Sequence, residues 1–144
     1  MKRFFNIPLA IIILASALTI GAQAQSSSAQ RVNATIPFAF TVGNKTLPAG
    51  KYTFSVVNPR SDRRILQIRS LDGRSSVLVQ TMGKTGDAVD NSKLVFDRYG
   101  DTYVFAEAQM AGDSTTLAAL RSKSQQKQWV AKANKKSVVV ITAE

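Results

Sequence analysis

The sequence predicts a mainly β fold: an antiparallel β-sandwich or partly open barrel of about seven strands, with one C-terminal helix and a closing strand. Three observations lead there. Apolar and polar residues alternate with a period of two through several short segments. Turn-forming Gly, Pro, Asn and Asp separate those segments at regular intervals. No internal repeat and no second compositional domain interrupts the pattern, so one core is expected.

The chain opens on a segment of a different kind. Lys2 and Arg3 precede an apolar run from Ile7 to Ile20, and Ala22-Gln23-Ala24 follows. The run is shorter than the about 20 residues a membrane span requires, and the order of charge, apolar stretch and small residues is that of a secretory leader. Cleavage near Ala24 is therefore expected, with export to the periplasm or beyond and no transmembrane span left behind. The expected organisation is a signal peptide over 1–24, a flexible polar lead-in over 25–30 and a single β-rich domain over 31–144.

Alternation begins at once in that domain. From Asn33 to Val42 the even positions Ala34, Ile36, Phe38, Phe40 and Val42 form an apolar face, and Pro37 signals an edge position or a local break. Gly43-Asn44 suits a hairpin turn. Pro48-Ala49-Gly50 leads into a second strand whose inner face is Tyr52, Phe54 and Val56. After Asn58-Pro59, a third strand runs from Ile65 to Ser70 with Leu66 and Ile68 inside. Asp72-Gly73 is the strongest two-residue hairpin signal, and Ser76 to Met82 returns from it. A long loop is expected from Gly83 to Ser92. Lys93–Arg98 and Thr102–Met110 then form a hairpin about Tyr99-Gly100-Asp101. Thr116 to Ala133 loses the alternation and gains Ala, Leu, Lys and Gln, which predicts a helix. Val138 to Ile141 reads as a buried closing strand. The core is expected on Phe38, Phe40, Tyr52, Phe54, Leu66, Ile68, Phe96 and Phe105.

Three of these blocks carry a resemblance. Ile36-Pro37-Phe38-Ala39-Phe40-Thr41-Val42-Gly43, Leu47-Pro48-Ala49-Gly50-Lys51-Tyr52-Thr53, and the run from Lys93 to Tyr103 (KLVFDRYGDTY) occur in that order. In this they resemble a family of small exported proteins abundant in acidobacteria, whose pattern is similar to IPFxFxVG, LPAGxYxV and KLVFxRYGDxYFL. The chain departs from it at Val104-Phe105. The resemblance implies an exported β-rich domain and brings no catalytic residues with it.

Composition narrows the chemistry. The chain has no Cys and no His. No disulfide can staple the fold, no lipid-bearing cysteine can follow the leader, and the usual general base and commonest metal ligand are both missing. No cofactor or metal is expected. Without Lys2 and Arg3, seventeen basic residues stand against nine acidic ones, a net charge of +8. Such a charge favours anionic partners and also keeps a small domain soluble.

The functional expectation is thus a non-enzymatic binding or structural protein of the cell envelope, contacting an anionic polymer or lipid headgroup. Its candidate residues are Arg60, Arg63, Arg64, Arg69 and Arg74 about the third strand, and Lys132, Lys135 and Lys136 at the end of the helix. Arginine's planar fork suits phosphate or carboxylate. Nucleic acid is disfavoured by export and by the lack of interleaved exposed aromatics. Edge-strand pairing with a protein partner is a further route.

The alternative is a carboxylate-dependent glycan hydrolase built on Asp97 and Glu107, which could face each other across a hairpin with Asp101 nearby; surface ion pairing is the plainer account of the same residues. Asp87, Asp90 and Asn91 lack the spacing of a calcium loop. Trp129, the sole tryptophan, is expected to plug the core.

Overall fold

The computed structural model describes residues 30–61, 63–132 and 136–143. The leader and nearly all of the lead-in therefore lie outside the described residues. The described residues form ten strands and one helix. The strands are β1 (Arg31–Ile36), β2 (Phe40–Val42), β3 (Lys45–Leu47), β4 (Gly50–Val56), β5 (Arg63–Ser70), β6 (Ser76–Thr85), β7 (Ser92–Tyr99), β8 (Thr102–Gln109) and β9 (Thr115–Ala119). Then come α1 (Lys123–Lys132) and β10 (Lys136–Ala143). The class is the predicted one; the strand count is higher.

Eight of the strands follow one another as β1-β4-β5-β6-β9-β8-β7-β10, every neighbouring pair antiparallel. The sheet curls until β1 and β10 approach each other without a ladder between them. That seam holds a cavity of about 460 Å³ lined by Asn33, Thr35, Lys51 and Thr142. The β2–β3 hairpin attaches to the start of β8 through the parallel pairing of β2, and turns Phe40, Val42 and Leu47 into the core.

Period-two alternation explains the interior. Val32, Ala34 and Ile36 of β1, Tyr52, Phe54 and Val56 of β4, and Leu66 and Ile68 of β5 all point inward. Phe40, Phe96 and Phe105 meet edge-on, with centroids 5.3 and 5.8 Å apart. That geometry places the positive ring edge on the negative face. Seven of the eight expected core residues belong to this cluster; the eighth, Phe38, is half-buried and packs against it, stacked on Tyr103 at 3.9 Å. Pro37 ends β1, dividing the first predicted strand in two.

Several expectations are corrected. Residues 116–119 belong to β9, because Leu117 packs in the core while the backbone pairs with β6 on one side and β8 on the other. The helix starts only at Lys123, behind a reciprocal cap. Ser122 Oγ accepts from the Gln125 N–H, and the Gln125 side chain accepts from the Ser122 N–H, both at 3.2 Å. β6 continues through Gly83 to Thr85, which shortens the expected long loop. The Asp72-Gly73 turn spans five residues, with Asp72 Oδ1 accepting from Ser70 Oγ at 2.6 Å and from the Arg74 N–H at 3.0 Å. β10 is an edge strand: Val138 and Val140 are 58 % and 53 % exposed, and Val139 and Ile141 face inward. The β7–β8 connection is a true two-residue loop, Gly100-Asp101, with Gly100 at φ 60° in the first central position.

Candidate functional site

The charged residues are distributed unevenly around the sheet. Strands β1, β4, β5 and β6 carry Arg31, Lys51, Arg63, Arg64, Arg69 and Lys84 and contain no Asp or Glu. The acidic strand residues, Asp97 and Glu107, stand on β7 and β8. One wall of the barrel is therefore cationic.

The register sets out that wall. Arg31, Lys51, Arg63 and Arg69 are exposed, and Thr53 of β4 stands between Asn33 of β1 and Arg69 of β5. At the β5–β6 turn the cations gather. Lys45 Nζ reaches over from β3 to the Ser76 carbonyl at 3.1 Å, Arg69 lies over Gly73, and Arg74 Nε stands 3.8 Å from Asp72 Oδ2. Asp72 is the single carboxylate in this group among the described residues. The hydroxyl of Ser70 and the backbone N–H of Arg74 hold its carboxyl below the usual carboxylate range.

The five predicted arginines thus fall into two groups. Arg69 and Arg74 join Lys45 and Lys51 at one end of β5. Arg60, Arg63 and Arg64 stand at the other, about 20 Å away at the rise of a strand. Arg64 is half-buried and turned to Asp113 at 3.6 Å. Burial alone would raise the Asp113 carboxyl. The Thr115 N–H, the Gln30 amide, the Thr115 hydroxyl and Arg64 together outweigh burial and hold it below the usual range. Arg64 is therefore a structural cation. Lys135 and the side chains of Lys132 and Lys136 lie outside the described residues. Lys45, Lys51 and Arg31 were not expected at the site; only the sheet register brings them to it.

The opposite wall differs in kind. At β8 the register slips, with Val95 facing Glu107 and Phe96 facing Phe105, so Ala106 is the extra residue of a bulge. The bulge resets the alternation: Phe105 points inward, and Val104 points outward beneath α1. Here Tyr99, Val104 and Trp129 form a second, smaller cluster outside the barrel. Trp129 is buried as expected, although not in the main core.

Arg121 ties this cluster down. Its Nη1 donates to Asp97 Oδ2 and its Nη2 to the Phe105 carbonyl, each at 2.6 Å, and its guanidinium lies 5.4 Å from the Trp129 ring centre. Glu107 pairs with Lys84 at 2.6 Å. Asp97 and Glu107 do line one cavity. Each is bonded to its own cation, so the arrangement is two ion pairs rather than a carboxylate pair open to substrate. Arg98 pairs with neither: it donates to the Gly100 carbonyl and lies over Tyr103. Among the described residues no cluster of three metal-ligating side chains occurs.

Comparison with family models, characterised protein sequences and solved structures finds no match to this chain.

Proposed function

We propose that the protein is an exported, non-enzymatic binding protein of the cell envelope that contacts an anionic polymer or lipid headgroup through its cationic wall. The observation that carries this reading is the segregation of charge: six cations and no carboxylate on four adjacent strands. Four exposed cations around the β5–β6 turn, Lys45, Lys51, Arg69 and Arg74, provide its densest part. The leader-like start and the resemblance to an exported family support the location.

Edge-strand docking has less support. The edges of β1 and β10 face one another across the seam, and β3 offers only three residues.

The test is titration of the purified protein with a polyphosphate, with vesicles of an anionic phospholipid, and with neutral counterparts of each. Binding to an anionic ligand that weakens steeply with salt is expected, because counterions are released. Equal binding to the neutral counterparts, or none to either anionic ligand, would overturn the proposal.

A further inference from the structure

A second surface feature has a different chemistry. Between the β2–β3 hairpin and α1 lies a cleft of about 410 Å³, within the range of roughly 300–1,000 Å³ typical of small-ligand sites. Its polar lining comes from three separate parts of the chain: Thr41 and Asn44 on the hairpin, Asp101 in the β7–β8 loop, and Gln125, Gln128 and Trp129 on α1.

The state of these groups suggests what they would hold. The Gln125 amide donates to Asn44 Oδ1 at 2.6 Å, joining the helix to the hairpin across the cleft. Gln128 and Asp101 make no side-chain hydrogen bond to any described residue. Trp129 is only 7 % exposed, and its ring is engaged by Tyr99 and Arg121. The cleft is therefore lined by side-chain amides that both donate and accept and by a carboxylate acceptor.

That combination selects a ligand class. An inorganic anion is opposed by Asp101, and the lining contains no cation. An apolar ligand would leave the amides and carboxylate unpaired, at about 1–3 kcal/mol for each group so buried. Neighbouring hydroxyls on a sugar ring both donate and accept, and so fit planar amide and carboxylate groups side by side. We infer that this cleft binds a neutral saccharide unit, whose hydroxyls would bond the amides of Asn44 and Gln128 and donate to the Asp101 carboxylate. The inference is independent of the cationic wall.

Trp129, as the sole tryptophan, is its own reporter. The purified protein is titrated with maltotriose, cellotriose and chitotriose, and separately with inorganic phosphate, following Trp129 fluorescence. A saturable change with at least one trisaccharide is expected. It should be the same at about 0.05 and about 0.5 M NaCl, because no charge pairing is involved. Gln128→Ala and Asp101→Asn, both at exposed positions, should each weaken it about tenfold while leaving the far-ultraviolet circular dichroism unchanged. No saturable change with any trisaccharide, equal affinity in both variants, or a response to phosphate alone would overturn the inference. Failure here would leave salt-dependent binding to polyanions untouched, so the two readings are separable.

Discussion

Removing Arg121 should loosen this protein more than any other single change on its outer surface. Its side chain is 13 % exposed and that of Asp97 6 %, so their 2.6 Å contact is a buried pair. Arg121→Met keeps much of the aliphatic length but removes the charge, the bond to Phe105 O and the contact with Trp129. Breaking one side of a buried pair costs about 3–5 kcal/mol. A domain of this size has about 5–15 kcal/mol in total, so about a fifth or more of its stability would go. With a urea slope near 2 kcal/mol/M the midpoint would fall by about 2 M.

The assay is equilibrium urea unfolding read two ways: Trp129 fluorescence for the α1 cluster, and far-ultraviolet circular dichroism for the sheet. Fluorescence should shift at least as far as dichroism. The double variant Asp97→Val with Arg121→Met should recover most of the loss, since apolar replacement of both partners of a buried pair is often nearly neutral. A cost below about 1 kcal/mol for Arg121→Met would refute the reasoning, because that is what an exposed pair is worth.

Other outcomes follow from the same physics. Phe96→Ala removes a fully buried ring that meets Phe38, Phe40 and Phe105, and should cost about 3–5 kcal/mol by urea unfolding; a cost near that of a surface change would remove Phe96 from the core. Gly100→Ala puts a side chain at φ 60°, and should cost about 1–2 kcal/mol where an unstrained turn would cost nothing. The Asp113 and Asp72 carboxyls are both held below their ordinary value of 3.8. Their contribution is therefore full above that value and lost as pH falls through their lower folded values. Asp113→Asn should flatten the acid limb of a stability–pH curve, and an unchanged limb would contradict the assignment. Burial, followed by the Asp72 charge, raises the Tyr52 hydroxyl above its ordinary value of 10.0. The stability it provides is full below pH 10.0 and is lost as pH rises through the folded value; Tyr52→Phe should remove that alkaline limb.

Much of the sheet was legible because one-sided burial imposes a period of two, and Tyr52, Phe54, Leu66 and Ile68 obey it without exception. β9 was not, because over five residues only Leu117 and the small Ala119 face the core, and the flanking Ala and Leu favour a helix as readily. A local signal for the true helix start was present: Ser122 and Gln125 have the spacing of a capping box, which excludes residues 116–121 from the helix. The buried face assigned to Val138–Ile141 failed because an apolar run carries no record of whether one face or two are covered.

The candidate site divides along the same line. Arg69 and Arg74 flank a recognisable turn and could be placed from local sequence. Their neighbours Lys45 and Lys51 come from other strands, Lys51 set beside them by the β4–β5 pairing and Lys45 by the reach of its side chain from β3 to the Ser76 carbonyl. Arg64 was misread because Asp113, its partner, is 49 positions further on. Arg121 was passed over altogether, since a single arginine between a strand and a helix has no pattern, and its partners Asp97 and Phe105 O lie 24 and 16 positions earlier in the chain.

The most direct test of the cationic wall is the salt dependence of polyanion binding in two variants of matched charge. One replaces Lys45, Lys51, Arg69 and Arg74 by Gln; the other replaces Lys93, Arg98, Lys123 and Lys127, outside the wall, in the same way. If the wall is the contact surface, the first should lower the slope of log K against log salt by about three, and the second should leave it within about one of the parent. Equal losses in the two variants would show that net charge alone attracts the polyanion, and would contradict a binding surface on β1, β4, β5 and β6.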